Sequence, residues 1–313
     1  MRISAPAAEL GLARARRLAG QQEQVAGRRQ LYRSGVPRWL VRRELRLGRW
    51  QRTGRQTVVL HNGPLPAAAK RWIAVLESGP RAALSGVTAL QHDGITALTD
   101  EGIHVLVPKG TIKRRLLGVI RHESRRWREE DLVTAGIRRT KPAVSAVMAA
   151  IWAVSERQAT FYLVLPVQQG LCTAAQIAEV LERVRRHRFR AALWLAVADI
   201  ADGARSIGEL DVGRALARRG LPRPTRQVKR TRPDGSVYLD LAWDDFRVTL
   251  EIDGVQHDLP WMRLSDTVRD LETIAEGSAP MRIPLLAWRL DEERVLDALE
   301  AVFRSRGWVP AAA

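Results

Sequence analysis

Residues 35–60, GVPRWLVRRELRLGRWQRTGRQTVVL, decide how the first part of the chain folds. Pro37 stands where the first turn of a helix tolerates proline, and Gly48 ends the segment, so the pattern predicts a helix over Arg38–Leu47. Residues 50–52, a turn at 53–55 and the alternating residues 57–60 then predict a short hairpin. The apolar stripe of the helix is expected to be Leu40, Val41, Leu45 and Leu47.

Two more helices precede this segment, over residues 10–24 and 27–34. Helix, turn, arginine-bearing helix and two-stranded wing together predict a winged helix-turn-helix DNA-binding domain over residues 1–64. The arginine-bearing helix, Arg38–Leu47, would enter the major groove, and the wing would reach phosphates. The alternative is a small three-helix unit from an arginine-rich genome. The candidate DNA-binding residues are Arg38, Arg42, Arg46 and Arg49 on the helix and Arg52 and Arg55 on the wing.

Charge is distributed unevenly along the 313 residues, whose 51 Lys+Arg and 34 Asp+Glu give a net charge of +17. Residues 1–205 carry 35 basic and 16 acidic residues, a net of +19, whereas residues 206–313 carry 16 and 18, a net of −2. This asymmetry favours a polyanion, here double-stranded DNA, as the partner of the first two-thirds. The alternative is codon bias, because 46 of the 51 basic residues are arginine.

Composition also bounds the class of protein. An apolar fraction of 46% excludes a disordered polymer. The longest uncharged run, residues 158–178, contains Pro166 and Gly170 and is a poor membrane span, so no membrane partner is expected. A single cysteine, Cys172, excludes an internal disulfide and a cysteine-based zinc cluster, and favours a cytoplasmic protein.

Residues 65–205 are predicted to form a middle domain, α/β at first and then mostly helical. Helices are expected over 143–157, 174–188 and 190–202, with Thr173 as the N-cap of the second. Six basic residues cluster between Arg183 and Arg190. We interpret this cluster as a solvated helix end, with phosphate contact as the alternative.

Three segments of the first half carry a family resemblance: residues 30–38 (QLYRSGVPR), 48–52 (GRWQR) and 84–90 (LSGVTAL). Their order resembles the actinobacterial type IV toxin–antitoxin antitoxins of the abortive-infection kind, AbiEi-like proteins, in which a winged helix precedes a small α/β domain. The similar stretch extends to about residue 140 and includes the strand-like segments 102–108 and 118–122. The resemblance implies a transcriptional regulator that binds an operator and has a cognate toxin.

Residues 206–313 are predicted to form an α/β domain. Residues 206–209 have the Ser-x-x-Glu form of a capping box and open a helix to Arg219. Strands are expected over 227–229, 237–243, 247–253 and 282–288, and helices over 264–276 and 292–306. Pro280 and Pro284 indicate that the last strand is an edge or distorted element.

Three acids of this region could bind one metal ion. Asp240 and Glu251 fall on adjacent strands of a hairpin, and Asp253, two residues beyond Glu251, points to the same face. Mg²⁺ or Mn²⁺ takes hard oxygen ligands of this kind, and a bound metal could activate water for phosphodiester hydrolysis. The alternative is that Asp253-Gly254 is turn chemistry and Asp240 a solvated acid at a strand end.

Residues 240–243 (DLAW), 250–254 (LEIDG), His257, Arg269 and the closing 304–308 (RSRGW) resemble a domain related to very-short-patch repair endonucleases, Vsr-like members of the PD-(D/E)xK superfamily. The resemblance implies a restriction-endonuclease-like fold and metal ligands at Asp240, Glu251 and Asp253. It further implies catalytic roles for His257 beside the metal, Glu209 on the leading helix and Arg269 at the phosphate. Lys229 is the only lysine after Lys141, so the usual superfamily lysine is missing.

The predicted architecture is therefore a multidomain α+β and α/β protein with boundaries near residues 64 and 205. The expected function is that of a DNA-binding, antitoxin- or defence-like protein with a Mg²⁺-dependent endonuclease domain. The alternative is a transcriptional regulator whose nuclease-fold domain does not cleave.

Overall fold

The computed structural model describes residues 5–98, 102–112, 116–201, 212–231, 237–253, 279–284, 288 and 292–310. The chain divides into two compact units, residues 1–149 and 150–313. The described residues contain eleven α-helices and three sheets, which confirms a multidomain protein of mixed α and β structure.

The first unit begins with α1 (Ala5–Gly20), β1 (Val25–Gly27), α2 (Arg28–Arg33), α3 (Arg38–Arg46), β2 (Gln51–Arg52) and β3 (Thr57–Val59). The strands form an antiparallel sheet in the order β1-β3-β2. The helix predicted over 10–24 instead ends at Gly20, because Glu23 and Gln24 take positive φ values of 54° and 61° and turn the chain into β1.

The predicted apolar stripe of α3 is correct except at its end. Leu40 and Val41 are buried in a cluster with Leu31 and Trp50, and Leu45 packs against that cluster. Leu47 is 52% exposed, since the helix ends one residue earlier and Leu47 serves as its C-cap. Leu47 therefore does not belong to the core.

The first unit continues with a five-stranded sheet. Its elements are α4 (Ala67–Ser78), β4 (Ala83–Leu84), α5 (Gly86–His92), β5 (Ile103–Pro108), β6 (Val119–Ser124), β7 (Leu132–Val133) and β8 (Arg139–Thr140), with strand order β6-β5-β4-β8-β7. Helix α4 packs on both sheets of the unit. Ala69 lies in a buried cluster with Val25 and Val59, whereas Ala74 and Val75 lie in the core of the larger sheet.

Helices follow in the middle of the chain: α6 (Pro142–Trp152), α7 (Glu156–Gln168), α8 (Ala174–Glu182) and α9 (Arg190–Ala201). The helix predicted over 143–157 breaks after Trp152, because Ser155 caps α7 by accepting a hydrogen bond from the Gln158 amide. Thr173 is confirmed as the N-cap of α8. It forms a capping box with Gln176, in which the Gln176 amide donates to the threonine hydroxyl.

The last sheet belongs to the second unit. It is formed with α10 (Val212–Arg219), β9 (Arg226–Thr231), β10 (Val237–Trp243), β11 (Val248–Asp253), β12 (Ala279–Pro284) and α11 (Glu292–Ser305). The order is β12-β11-β10-β9, with β9, β10 and β11 antiparallel and β12 parallel to β11. Among the described strands β12 is an edge strand, as its prolines predicted, although it begins at Ala279 and ends at Pro284 rather than spanning 282–288.

One face of this sheet carries the core. Leu239, Leu241 and Trp243 of β10 and the alternate residues of β11 pack with α10 and α11. The Trp243 indole donates to the Pro222 carbonyl at 2.9 Å, and the Phe303 ring meets it edge-on with centroids 5.1 Å apart. Residues 240, 242, 249 and 251 therefore lie on the opposite face.

Candidate nucleic-acid interface and acidic strand pair

The arginines predicted to bind DNA all have exposed side chains. On α3 the helical spacing that turns Leu40, Val41, Glu44 and Leu45 toward the core leaves the arginines on the outer side. The described residues offer Arg42, Arg46 and Arg55 no ion-pair partner. The six arginines predicted to bind DNA are called the arginine face below. Arg38, Arg42 and Arg46 lie on α3, Arg52 and Arg55 lie in the β2–β3 hairpin, and Arg49, predicted to lie on the helix, follows its end.

Aromatic rings and one buried acid order part of the arginine face. The Arg38 guanidinium lies 5.4 Å from the Tyr32 ring centroid, and that of Arg43 lies 5.4 Å from the ring of Trp39, a side chain that is 51% exposed. Glu44, buried in α3, accepts from Arg43 at 2.9 Å and pairs with Arg49 at 3.6 Å. Arg49 is thus braced by an internal carboxylate, which Arg42 and Arg46 are not.

The hairpin between β2 and β3 is a compact turn. The Arg52 Nε donates to the Gly54 carbonyl at 3.0 Å, and the Thr53 and Thr57 hydroxyl oxygens are 2.9 Å apart. The backbone amides of residues 55–57 donate to the carboxylate of Glu77 in α4. Arg52 and Arg55 therefore belong to a turn that is fixed at several points.

The two units divide the net charge in nearly the same way as the boundary predicted at residue 205. Residues 1–149 contain 28 basic and 11 acidic residues, a net charge of +17. Residues 150–313 contain 23 of each and are neutral. The whole excess of positive charge therefore lies in the unit that carries the arginine face.

The basic cluster of residues 183–190 lies in the neutral unit. Arg188 donates to the Ala153 carbonyl at 2.7 Å and Arg190 to the Val184 carbonyl at 2.9 Å, so these side chains tie the end of α8 to neighbouring backbone. Arg185 and Arg186 are exposed. The cluster is thus partly structural, in keeping with its interpretation as a helix end.

Asp240 and Glu251 are direct partners in the β10–β11 register. Cross-strand partners share a face, so both carboxylates lie on the face opposite the core. Arg282 of β12 is the register partner of Glu251 on its other side, and its Nε donates to the Glu251 carboxylate at 3.1 Å. Glu251 is buried and Asp240 half-buried.

The charges of Asp240, Glu251 and Arg282 determine whether this part of the acidic site could bind a metal ion. Two carboxylates offer oxygen ligands of the kind that Mg²⁺ takes, but the Arg282 guanidinium balances one of their charges. Among the described residues no group of three or more His, Cys, Asp or Glu is placed to hold a metal ion. An ion pair beside a second carboxylate does not by itself make a magnesium site.

The other predicted members of the acidic site are only partly described. Asp253 ends β11, in register with Tyr238 and Pro284. His257, Glu209 and Arg269 lie outside the described residues. The complete catalytic and metal-binding set therefore stays a prediction.

A scan against family models found no match, and a search of curated proteins found none either. Among solved structures the chain is similar to the crystal structure of the RV2827C protein from Mycobacterium tuberculosis, with a TM-score of 0.37 and 15% identity over 63% of this chain and 76% of that one. No helix in the described ranges is long and apolar enough to cross a membrane.

Sequence reasoning missed two contributors to the arginine face. Trp39 lies beside the arginines of α3 and is 51% exposed. A tryptophan next to arginines on a predicted helix is a local sequence signal for a contact residue. Glu77 gives a weaker signal, as the only acidic residue between Glu44 and Asp93. Its contact with the hairpin spans 20 positions and has no local pattern.

Proposed function

We propose that this protein binds double-stranded DNA through the arginine face. The observation that carries the proposal is that all six predicted arginines are exposed, on α3, just after its end and in the hairpin that follows, in a unit with a net charge of +17. The affinity of DNA for such a surface comes chiefly from the release of the counterions condensed on the DNA.

The dimensions of the arginine face suit duplex DNA. Helix α3 has nine residues, and an α-helix with its side chains is about 10–12 Å across, which a major groove about 12 Å wide admits. Arginine can bind phosphates or pair in bidentate fashion with guanine edges. The element order, helix, strand, two helices and a hairpin, supports the winged-helix interpretation, in which Arg52 and Arg55 would contact the backbone beside the groove.

A regulator resembling a type IV antitoxin is the form of this function that we favour. Its DNA-binding part would be the first unit, and the ion pair between Glu251 and Arg282 suits a C-terminal domain that does not cleave. A cognate toxin and a cytoplasmic location belong to the same proposal.

A metal-dependent endonuclease is the second candidate, favoured by the direct pairing of Asp240 with Glu251. It requires Mg²⁺- or Mn²⁺-dependent nicking of supercoiled DNA by the full chain. Asp240→Asn should abolish the nicking without weakening duplex binding, because the charge of the arginine face is unchanged. Calorimetry that detects no binding of either metal at millimolar concentration would exclude this candidate.

Fluorescence anisotropy with a labelled duplex tests the main proposal. Arg42→Ala/Arg46→Ala in the full chain should weaken binding by about 1–3 kcal/mol for each base-reading arginine, that is at least tenfold together. The matched control is Arg185→Ala/Arg186→Ala, which removes the same charge from exposed positions of the other unit. Equal losses in the two double variants would show that only overall charge matters and would refute the arginine face.

A further inference from the structure

We propose that Glu77 is a positioning residue that holds the β2–β3 hairpin in the pose from which Arg52 and Arg55 contact the DNA backbone. The inference rests on the proposed duplex binding. It adds a residue from outside the predicted winged helix, since Glu77 belongs to α4, beyond the boundary predicted at residue 64.

The Glu77 carboxylate is surrounded by donors from the hairpin. Its Oε1 accepts from the Gln56 amide at 2.6 Å, the Thr57 amide at 2.6 Å and the Thr57 hydroxyl at 2.7 Å. Its Oε2 accepts from the Arg55 amide at 3.2 Å. Three successive peptide groups, including that of Arg55, are thus held by one side chain.

The position of Glu77 is costly unless those donors are present. The residue is 2% exposed, and a buried carboxylate without partners is strongly disfavoured. It also lies in the last turn of α4, where the helix dipole repels a negative charge. The hairpin amides offset both costs, so the carboxylate and the turn stabilise one another.

Gly54 permits this close approach. A Cβ atom at residue 54 would lie 2.3 Å from the Glu77 carboxyl carbon, far inside contact distance. The four hydrogen bonds leave the carboxylate little freedom to move aside. The hairpin tip therefore rests directly on Glu77, between Arg52 and Arg55.

Helix α4 gives the contact a rigid base. It packs against β1 and β3 through Ala69 and against the five-stranded sheet through Ala74 and Val75. A hairpin fixed to such a helix does not have to be ordered when DNA binds, which is the gain expected from preorganisation.

The direction in which DNA affinity changes when Glu77 is neutralised distinguishes a positioning role from a simple charge effect. Glu77 is negative, so removing its charge should on Coulomb's law alone favour DNA binding. A positioning role predicts the reverse. Glu77→Gln keeps the size of the side chain but sets an amide NH₂ group against the donors of the hairpin.

The experiment compares full-chain variants in duplex binding by anisotropy. Glu77→Gln should bind about tenfold more weakly than the unchanged protein, the scale expected when two arginine side chains and their loop must be ordered on binding. Glu130→Gln, at an exposed position, makes the same charge change and should stay within about twofold. In an Arg52→Ala/Arg55→Ala background Glu77→Gln should cost nothing further. Unchanged or tighter binding of Glu77→Gln, or an equal loss in that background, would overturn the proposal.

Hydrogen exchange in the free protein provides a readout that does not depend on DNA. The amides of Arg55, Gln56 and Thr57 should exchange about tenfold faster in Glu77→Gln, because one of the two acceptor oxygens becomes an NH₂ donor and the other loses its negative charge. If Glu77→Gln fails to fold, Thr57→Val removes the hydroxyl that donates to Glu77 and should show a smaller change of the same sign, with Thr53→Val as the control for the lost contact between the two hydroxyls. Unchanged exchange would overturn the role of Glu77, whereas absence of duplex binding by the unchanged protein, with exchange as expected, would overturn only the proposed function.

Discussion

At the residue scale, Arg282 compensates the cost of burying the Glu251 carboxylate. The Glu251 side chain is 11% exposed and that of Arg282 23% exposed, and they form a hydrogen-bonded ion pair. Arg282→Ala should lower the free energy of unfolding by about 3 kcal/mol, because the buried Glu251 carboxylate loses the hydrogen-bonded guanidinium beside it. Urea denaturation at neutral pH measures the loss.

A second substitution distinguishes charge from packing. Glu251→Gln added to Arg282→Ala should recover most of the lost stability, since a neutral amide needs no counter-charge. If the double variant is as unstable as Arg282→Ala alone, the arginine stabilises the protein through packing, and the electrostatic explanation of the Glu251–Arg282 pair is wrong.

The residues of the arginine face were predictable, and their partners were not. A period of 3.6 residues placed Arg38, Arg42 and Arg46 outside because Leu40 and Val41 had to face the core. The buried acid of the same helix, Glu44, was hidden by that pattern, which assigns acids to the solvent side. Contacts across the sheet, such as Arg282 with Glu251 at a separation of 31 positions, need the strand register and could not be read from spacing.

At the element scale, the cap of α8 was predicted from sequence and allows a quantitative test. Thr173 accepts from the Gln176 amide at 3.2 Å, and the Gln176 side chain accepts in return from the Thr173 amide at 3.0 Å. Thr173→Ala should lower the free energy of unfolding by about 1 kcal/mol, and Thr173→Ser should lose much less. Equal stability of the alanine and serine variants in urea would show that the cap contributes nothing. Duplex binding should be the same in both.

Elements with a clear period were predicted best. Strand β10 was placed at Val237–Trp243 because its apolar residues alternate over seven positions. Strand β1 was missed, since three residues are too few to show alternation and its place in the sheet depends on pairing with β3. The double packing of α4 on two sheets was missed for a similar reason. A helix rich in alanine, over 67–78, has no single apolar stripe that indicates which sheet it covers.

At the scale of the whole molecule, charge and structure divide the chain in nearly the same way. The first unit has a net charge of +17 and the second is neutral. Net charge therefore allows only the first unit to attract a polyanion over long range. The acidic strand pair lies in the neutral unit. A protein with this distribution would use one unit to hold DNA whether or not the other acts on it.

The salt dependence of duplex binding tests this claim most directly. With about four to six phosphates neutralised by the arginine face, the slope of log K against log salt concentration should be about −4 to −5 for the full chain. Arg42→Ala/Arg46→Ala should make the slope shallower by about one for each arginine that contacts a phosphate, and Arg185→Ala/Arg186→Ala should leave it unchanged. A slope near zero for the unchanged protein, or one that responds equally to the two double variants, would contradict DNA binding through the arginine face.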